Sequence, residues 1–259
     1  MRAYVHGVGL LGPGLSGWPA GRAVLAGAQP YVPARTVIPP SELLPPAERR
    51  RAGVPVKLAL AVGREAFAAA AQDAARAATV FASSSSDGDI LHQLCEVLTT
   101  PEREVSPTKF MNSVHNAAAG YWSIATQSRE PSTSLCCYDA SFAAGLLEAA
   151  VQIAVDRRPT ALIACDAPYP EPLHATRPIQ GEFGIALALG PEKGLAALEV
   201  ELAQGVESRL DDEELEKLRL GNPAARSLTL LAALARGAAA EVVLSYVAGA
   251  SLRVRVEPC

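Results

Sequence analysis

The chain has 259 residues, 49% of them hydrophobic and few aromatic, with a formal net charge of −4. That length allows a substantial buried core, and the acidic balance excludes a nucleic-acid surface, which needs clustered Lys and Arg against the phosphates. Five cysteines, at 95, 136, 137, 165 and 259, form no C-x-x-C pair and no zinc spacing, so reduced thiols are expected and neither a metal nor another cofactor.

The start, MRAYVHGVGLLGPG, lacks the continuous apolar region of a signal peptide, and no apolar run approaches the roughly 20 residues of a membrane span. A cytoplasmic location and no membrane span are expected. Ala3–Val8 predicts a short buried strand ended by glycines. Residues 13–55 hold nine of the 20 prolines and predict an irregular, surface-wrapping segment. Val56–Arg76 predicts a buried, alanine-rich helix, Ala78–Ala82 a strand, Ile90–Leu98 and Asn116–Thr126 helices. Ser132–Cys137 reads as a strand and Ala140–Val155 as a strong helix. Ala161–Cys165, Ile185–Leu189 and Leu195–Leu202 read as strands, with helices near Asp211–Leu218 and Ala224–Ala235. The chain closes on a hairpin, EVVLSYV-AGA-SLRVRVE. Strands alternating with helices predict an α/β fold, a mixed sheet with helices on both faces.

Some motifs tempt without context. Gly7-x-Gly9-x-x-Gly12 matches the dinucleotide fingerprint, but Pro13 and Gly14 follow instead of a helix, and no acid precedes Glu42 to hold a ribose. A strand-ending turn is the ordinary reading. Ser83–Ser86 before Asp87-Gly88 reads as an anion cradle of backbone amides or, more simply, as a polar turn. Arg49–Arg51 suits either an acidic partner or solvent, and the acidic run Asp211–Glu214 suits a solvated helix N-terminus.

Four stretches occur in an order that resembles the β-ketoacyl synthases, thiolase-fold condensing enzymes. They are AYVHGVGLLGPG, VKLALAVGREAF, VSPTKFMNSVHNAAAGYWSIATQSREPSTSL and RPIQGEFGIALALGP. The resemblance implies a thiolase-like layered fold with residues 1–190 as its N-terminal half and a strongly truncated second half. Residues 191–259 would supply a reduced second sheet of strand, helices and hairpin packed on the first as one compact unit. In this family a nucleophilic cysteine sits in a T-A-C-(S/T)-S-G corner at a helix N-terminus. Counting from Asn116 through Pro131 puts that position at Asp139, and counting back from Ala161–Cys165 puts it at Ala140. Neither register yields a cysteine. Cys136 and Cys137 fall inside the predicted strand, and Asp139 reads as an N-cap of the following helix. The family's two catalytic histidines, in H-G-T-G-T and G-H motifs, have no counterpart, because His6, His92, His115 and His174 all precede residue 195.

The resemblance is strongest to the short ketosynthase-like proteins of aryl-polyene and xanthomonadin-type pigment clusters, which are chain-length-factor-like. It implies a non-catalytic subunit that pairs with a full-length β-ketoacyl synthase as a heterodimer and works on chains carried by an acyl carrier protein. No catalytic residue is expected. Asp139, Ser141, Phe142, His115 and Asn116 are pocket candidates, with Phe142 either filling the vacated pocket or packing in the core, and His115 either a proton handler or a structural hydrogen-bonding residue. Ser132, Ser134 and Cys136 are interface candidates, because ketosynthases pair through the strand before the nucleophile. Two alternatives remain: a divergent ketosynthase or acyltransferase using Cys137, and a homodimeric scaffold or small-molecule binder.

Overall fold

The computed structural model describes residues 1–259 throughout. Strand β1 (Arg2–Gly12) is followed by the short β2 (Leu15–Ser16), which pairs back onto it. Helices α1 (Trp18–Leu25), α2 (Pro46–Arg51) and α3 (Val54–Ala70) follow, each with a proline in its first turn, where the missing N–H is not needed. Strand β3 (Ala78–Ala82) leads through α4 (Gly88–Thr99), α5 (Pro107–Asn112) and α6 (Ala117–Thr126) to β4 (Ser132–Leu135). Helix α7 (Ser141–Asp156) then leads to β5 (Thr160–Asp166). The rest is α8 (Leu173–Thr176), β6 (Phe183–Gly190), β7 (Ala196–Ala203), α9 (Glu213–Gly221), α10 (Leu228–Arg236) and the hairpin β8 (Ala240–Ser245) and β9 (Ser251–Pro258). No helix is long and apolar enough to cross a membrane.

All nine strands form one mixed sheet in the order β4-β3-β5-β6-β1-β7-β9-β8, with β2 beside β1. Strand β3 runs parallel to β4 and to β5, and the remaining pairings are antiparallel. The carboxyl ends of β3, β4 and β5 therefore open on the same rim of the sheet. Helices α1, α7 and α10 cover one face with the larger hydrophobic cluster, and α3 and α6 cover the other over the first five strands. Trp122 of α6 anchors the smaller cluster, 5.7 Å from the Phe67 ring and 6.4 Å from Phe81.

Several expectations change. The glycines of β1 do not end the strand but sit within it. A methyl group at Gly9 would overlap the Val62 carbonyl, and one at Gly7 the Ala66 carbonyl, so they are where α3 lies directly on the sheet. The fingerprint spacing is thus a packing device. Residues 13–55 are not wholly irregular, since they contain α1 and α2. The long helix stops at Ala70, because Ala71 adopts the left-handed conformation (φ 50°) and Asp73 caps a separate 3-10 turn.

The last three strands form no second sheet. Strand β1 pairs with β6 through Tyr4–Leu11 and with β7 through Arg2–Val5, so β7, β9 and β8 extend the first sheet. The outer face of these strands carries a cross-strand lattice of charges, with Arg253 and Arg255 each reaching Glu201 and Glu241, and Arg2 reaching Glu199 and Glu257.

The closeness of α3 to β1 makes a prediction. Gly9→Ala should force the helix off the sheet and destabilise the protein by about 1–3 kcal/mol or more, measured by urea denaturation. Gly27→Ala, at a glycine with open space around it but φ 76°, should cost only the local backbone strain.

Candidate functional site

Open α/β sheets bind ligands outside the carboxyl ends of their parallel strands. Three segments meet there: Ser83–Asp87 after β3, the corner Cys136–Ala140 after β4, and Asp166 at the end of β5.

Strand β4 ends at Leu135, whose carbonyl accepts the last bond from Ser83 N. Cys136 and Cys137 therefore lie in the turn and not inside the strand. Cys136 is exposed, its Sγ 3.2 Å from the Ser84 carbonyl, and Cys137 is half-buried. Tyr138 takes a left-handed conformation (φ 52°), rare for a bulky side chain, and a 3-10 turn over Tyr138–Ala140 leads into α7. Ser141 locks the corner: its Oγ accepts from Cys137 N at 3.0 Å and donates to the Tyr138 carbonyl at 2.7 Å.

The expected capping role of Asp139 is not realised. Ala140 stands at the start of α7, and no side chain caps it. The inserted 3-10 turn carries Asp139 outward, where its Oδ1 accepts from Arg177 Nη2 at 2.9 Å. The same guanidinium stacks on the Tyr138 ring, 3.4 Å from its centroid. Burial pulls the Arg177 pKa down, but Asp139 outweighs it and holds the value above the ordinary one. Tyr138, Asp139 and Ala140 thus form the tip of the corner, the first two engaged by one arginine, and none of them carries sulfur.

Phe142 is wholly buried in the larger core. Asn116 is exposed ahead of α6 and makes no side-chain cap. His115 Nε2 lies 3.3 Å from the Ser83 carbonyl, at the rim of a narrow crevice whose walls include Val56, Ala59, Phe81 and Ile163. No hydrogen bond joins any of the four histidines to Cys136, Cys137 or Asp139; His92, for example, faces Glu96 at 3.3 Å. Among the interface candidates, Ser132 accepts a bond from Thr79 Oγ1 at 2.8 Å, the Ser134 hydroxyl is buried without a partner, and β4 pairs only with β3.

The serine run is a cradle for an anion of the chain itself. Asp166 is wholly enclosed, and its Oδ1 accepts from Ser84 N (2.8 Å), Ser84 Oγ (2.7 Å) and Ser83 Oγ (3.1 Å), while Oδ2 has no partner. Burial pushes its pKa up to about 6, against the opposing pull of the serine bonds and of Arg177. Behind it, Asn222 Nδ2 reaches the carbonyls of Gly181 (2.9 Å) and Asp166 (3.4 Å), and its Oδ1 accepts from Ala224 N at 3.0 Å. Sequence reasoning missed Tyr138, Asp166, Arg177 and Asn222. An acid directly after the apolar run ALIAC was a usable signal for Asp166; Arg177 and Asn222 had none.

The single mixed sheet, its two helical faces and this strand-to-helix corner define a thiolase-like ketosynthase fold. A family model described as β-ketoacyl synthase, N-terminal domain, matches residues 26–245, and the chain belongs to that family. No curated protein sequence matches it. Among solved structures it resembles a ketosynthase (ApeO) in complex with its chain length factor (ApeC) from Xenorhabdus doucetiae, at 21% identity and TM-score 0.76, over 98% of this chain and 99% of that one. The ishigamide ketosynthase/chain length factor matches at 16% identity and TM-score 0.73, over 100% and 99%. A β-ketoacyl synthase from Burkholderia phymatum matches at 10% and TM-score 0.67, over the same shares. These likenesses establish the thiolase-like fold.

Asp166 makes stability depend on pH. From about pH 4 to pH 6 the unfolded chain gives up this proton and the folded chain keeps it, so the folded state binds more protons and stability falls as pH rises through that window. Asp166→Asn retains Oδ1 and cannot titrate. Its stability relative to the parent should therefore rise by about 2–3 kcal/mol between pH 4 and pH 7 in urea titrations, and a difference that stays constant with pH would contradict this assignment.

Proposed function

We propose that this chain is a non-catalytic, chain-length-factor-like subunit that pairs with a full-length β-ketoacyl synthase and serves acyl chains borne by an acyl carrier protein. The observation that carries the reading is the corner after β4. It has a strand-to-helix geometry, yet its tip holds Tyr138, Asp139 and Ala140, with Arg177 engaging the first two. A carboxylate engaged by a guanidinium is a poor nucleophile toward a thioester. Matched complexes whose names contain both a ketosynthase and a chain length factor support the pairing, and one matched structure also includes an acyl-carrier protein.

Two features of the surface support the same reading. The strand STSL is uncharged and pairs on one side only, and Phe110, Met111 and Val114, in the segment that leads into α6, are 64%, 54% and 46% exposed. An uncharged unpaired edge and exposed apolar side chains are each an aggregation hazard unless they are covered. An aryl-polyene type of product belongs to this proposal as its most specific form.

Co-expression with a full-length β-ketoacyl synthase of the same organism should yield a heterodimer, and condensation should need both chains. Separate elution with undiminished condensation by the ketosynthase alone would sink the proposal. Phe110→Asp should leave monomer stability within about 0.5 kcal/mol and weaken the heterodimer about tenfold or more by sedimentation. Cys137→Ser should leave the rate of the complex unchanged, whereas lost turnover would favour the divergent enzyme.

A further inference from the structure

A second cavity lies on the α7 side of the sheet, between α1, the end of α10 and strands β1, β7 and β9. Its volume is about 140 Å³, and its walls are Val5, Val8, Trp18, Ala196, Leu234 and Val256. Val5 and Val8 stand four strands from β4, about 19 Å across the sheet. Val5 pairs with Leu189, which also pairs with Thr160 at the amino end of β5, so the cavity is displaced toward the rim opposite the corner. It is separate from the site described above.

Two features of the mouth point to a ligand. Leu195 stands there 60% exposed, an apolar side chain left in water at the lip of an apolar hollow. Arg22 is the cavity's one charged lining residue, and it forms no ion pair with a carboxylate of the chain. Its single hydrogen bond runs from Nε to the Ala235 carbonyl at 3.4 Å, which leaves both terminal nitrogens free. An apolar hollow of about this size accommodates a molecule the size of benzene, and a free guanidinium edge presents paired N–H donors to a planar carboxylate.

We propose that this cavity binds a small carboxylate with an apolar tail, such as a short-chain or aromatic acid, with the tail against Val8 and Val256 and the carboxylate on Arg22. The protein carries two tryptophans, Trp18 at this cavity and Trp122 in the core of the other sheet face, so their indole N–H signals separate the two sites.

The test is an NMR titration of the full chain with sodium hexanoate, and with 1-hexanol as the uncharged control. Hexanoate should shift the Trp18 indole signal saturably and leave Trp122 unmoved. Arg22→Gln should weaken hexanoate about tenfold and leave hexanol binding as it was. Ala196→Leu, which fills the cavity from its wall, should weaken both probes. An unshifted Trp18, or hexanoate affinity that is the same in Arg22→Gln and the parent, overturns the proposal.

Discussion

A single enclosed carboxylate ties the functional rim to the rest of the molecule. Asp166 terminates β5, its side chain gathers the serine loop after β3, and its carbonyl is held by Asn222 from the C-terminal portion. Burying a carboxyl group is costly, and three donors on one oxygen offset only part of the cost, so the group keeps its proton nearly to neutrality. Burial and hydrogen bonding oppose each other here, and burial prevails. The serine loop in turn receives the Cys136 thiol at the Ser84 carbonyl and His115 at the Ser83 carbonyl. The geometry of the corner after β4 thus depends on a residue at the end of a different strand.

The corner combines a thiolase-like frame with a tip made of Tyr138, Asp139 and Ala140. A nucleophilic cysteine at a helix N-terminus depends on the helix dipole and on an approach open to substrate. Here the dipole remains, but a carboxylate stands near it, and Arg177 satisfies that carboxylate while lying flat on Tyr138. A left-handed tyrosine is strained, and the stacked guanidinium together with the Ser141 hydroxyl holds it in place. These contacts leave the two nearby thiols outside the tip, one exposed and one half-buried.

Much of the fold was legible because it rests on local pattern. The apolar run Ala78–Ala82 is β3 residue for residue, and the helix predicted from Ala140 begins one residue later. Errors arose where tertiary contact decides. Gly7 and Gly9 look like punctuation in a string of letters, and only the presence of α3 shows them to be contact points. The stretch WPAGRAVL was passed over as irregular although its early proline suits a helix start. Motif order singles out Asp139, Ser141 and His115 as candidates, and they lie at the corner or at the Ser83 loop beside it. Arg177 lies 38 positions beyond Asp139, and Asn222 lies 56 beyond Asp166, so only the folded chain brings them together.

One end of the sheet is charged and the other is not, and the difference bears on how the chain would assemble. At the β7-β9-β8 end, arginines and glutamates alternate across strands on the open face. Exposed pairs of this kind add little stability, but a charged surface of this sort disfavours stacking or pairing with another sheet. At the opposite end, β4 has no charge in its four residues, and its hydroxyl side chains would not repel an incoming strand. Association through β4 would also bring a partner beside the corner and the serine loop, because β4 runs directly into that turn. The same short strand would then set both where two subunits join and which part of each faces the shared rim.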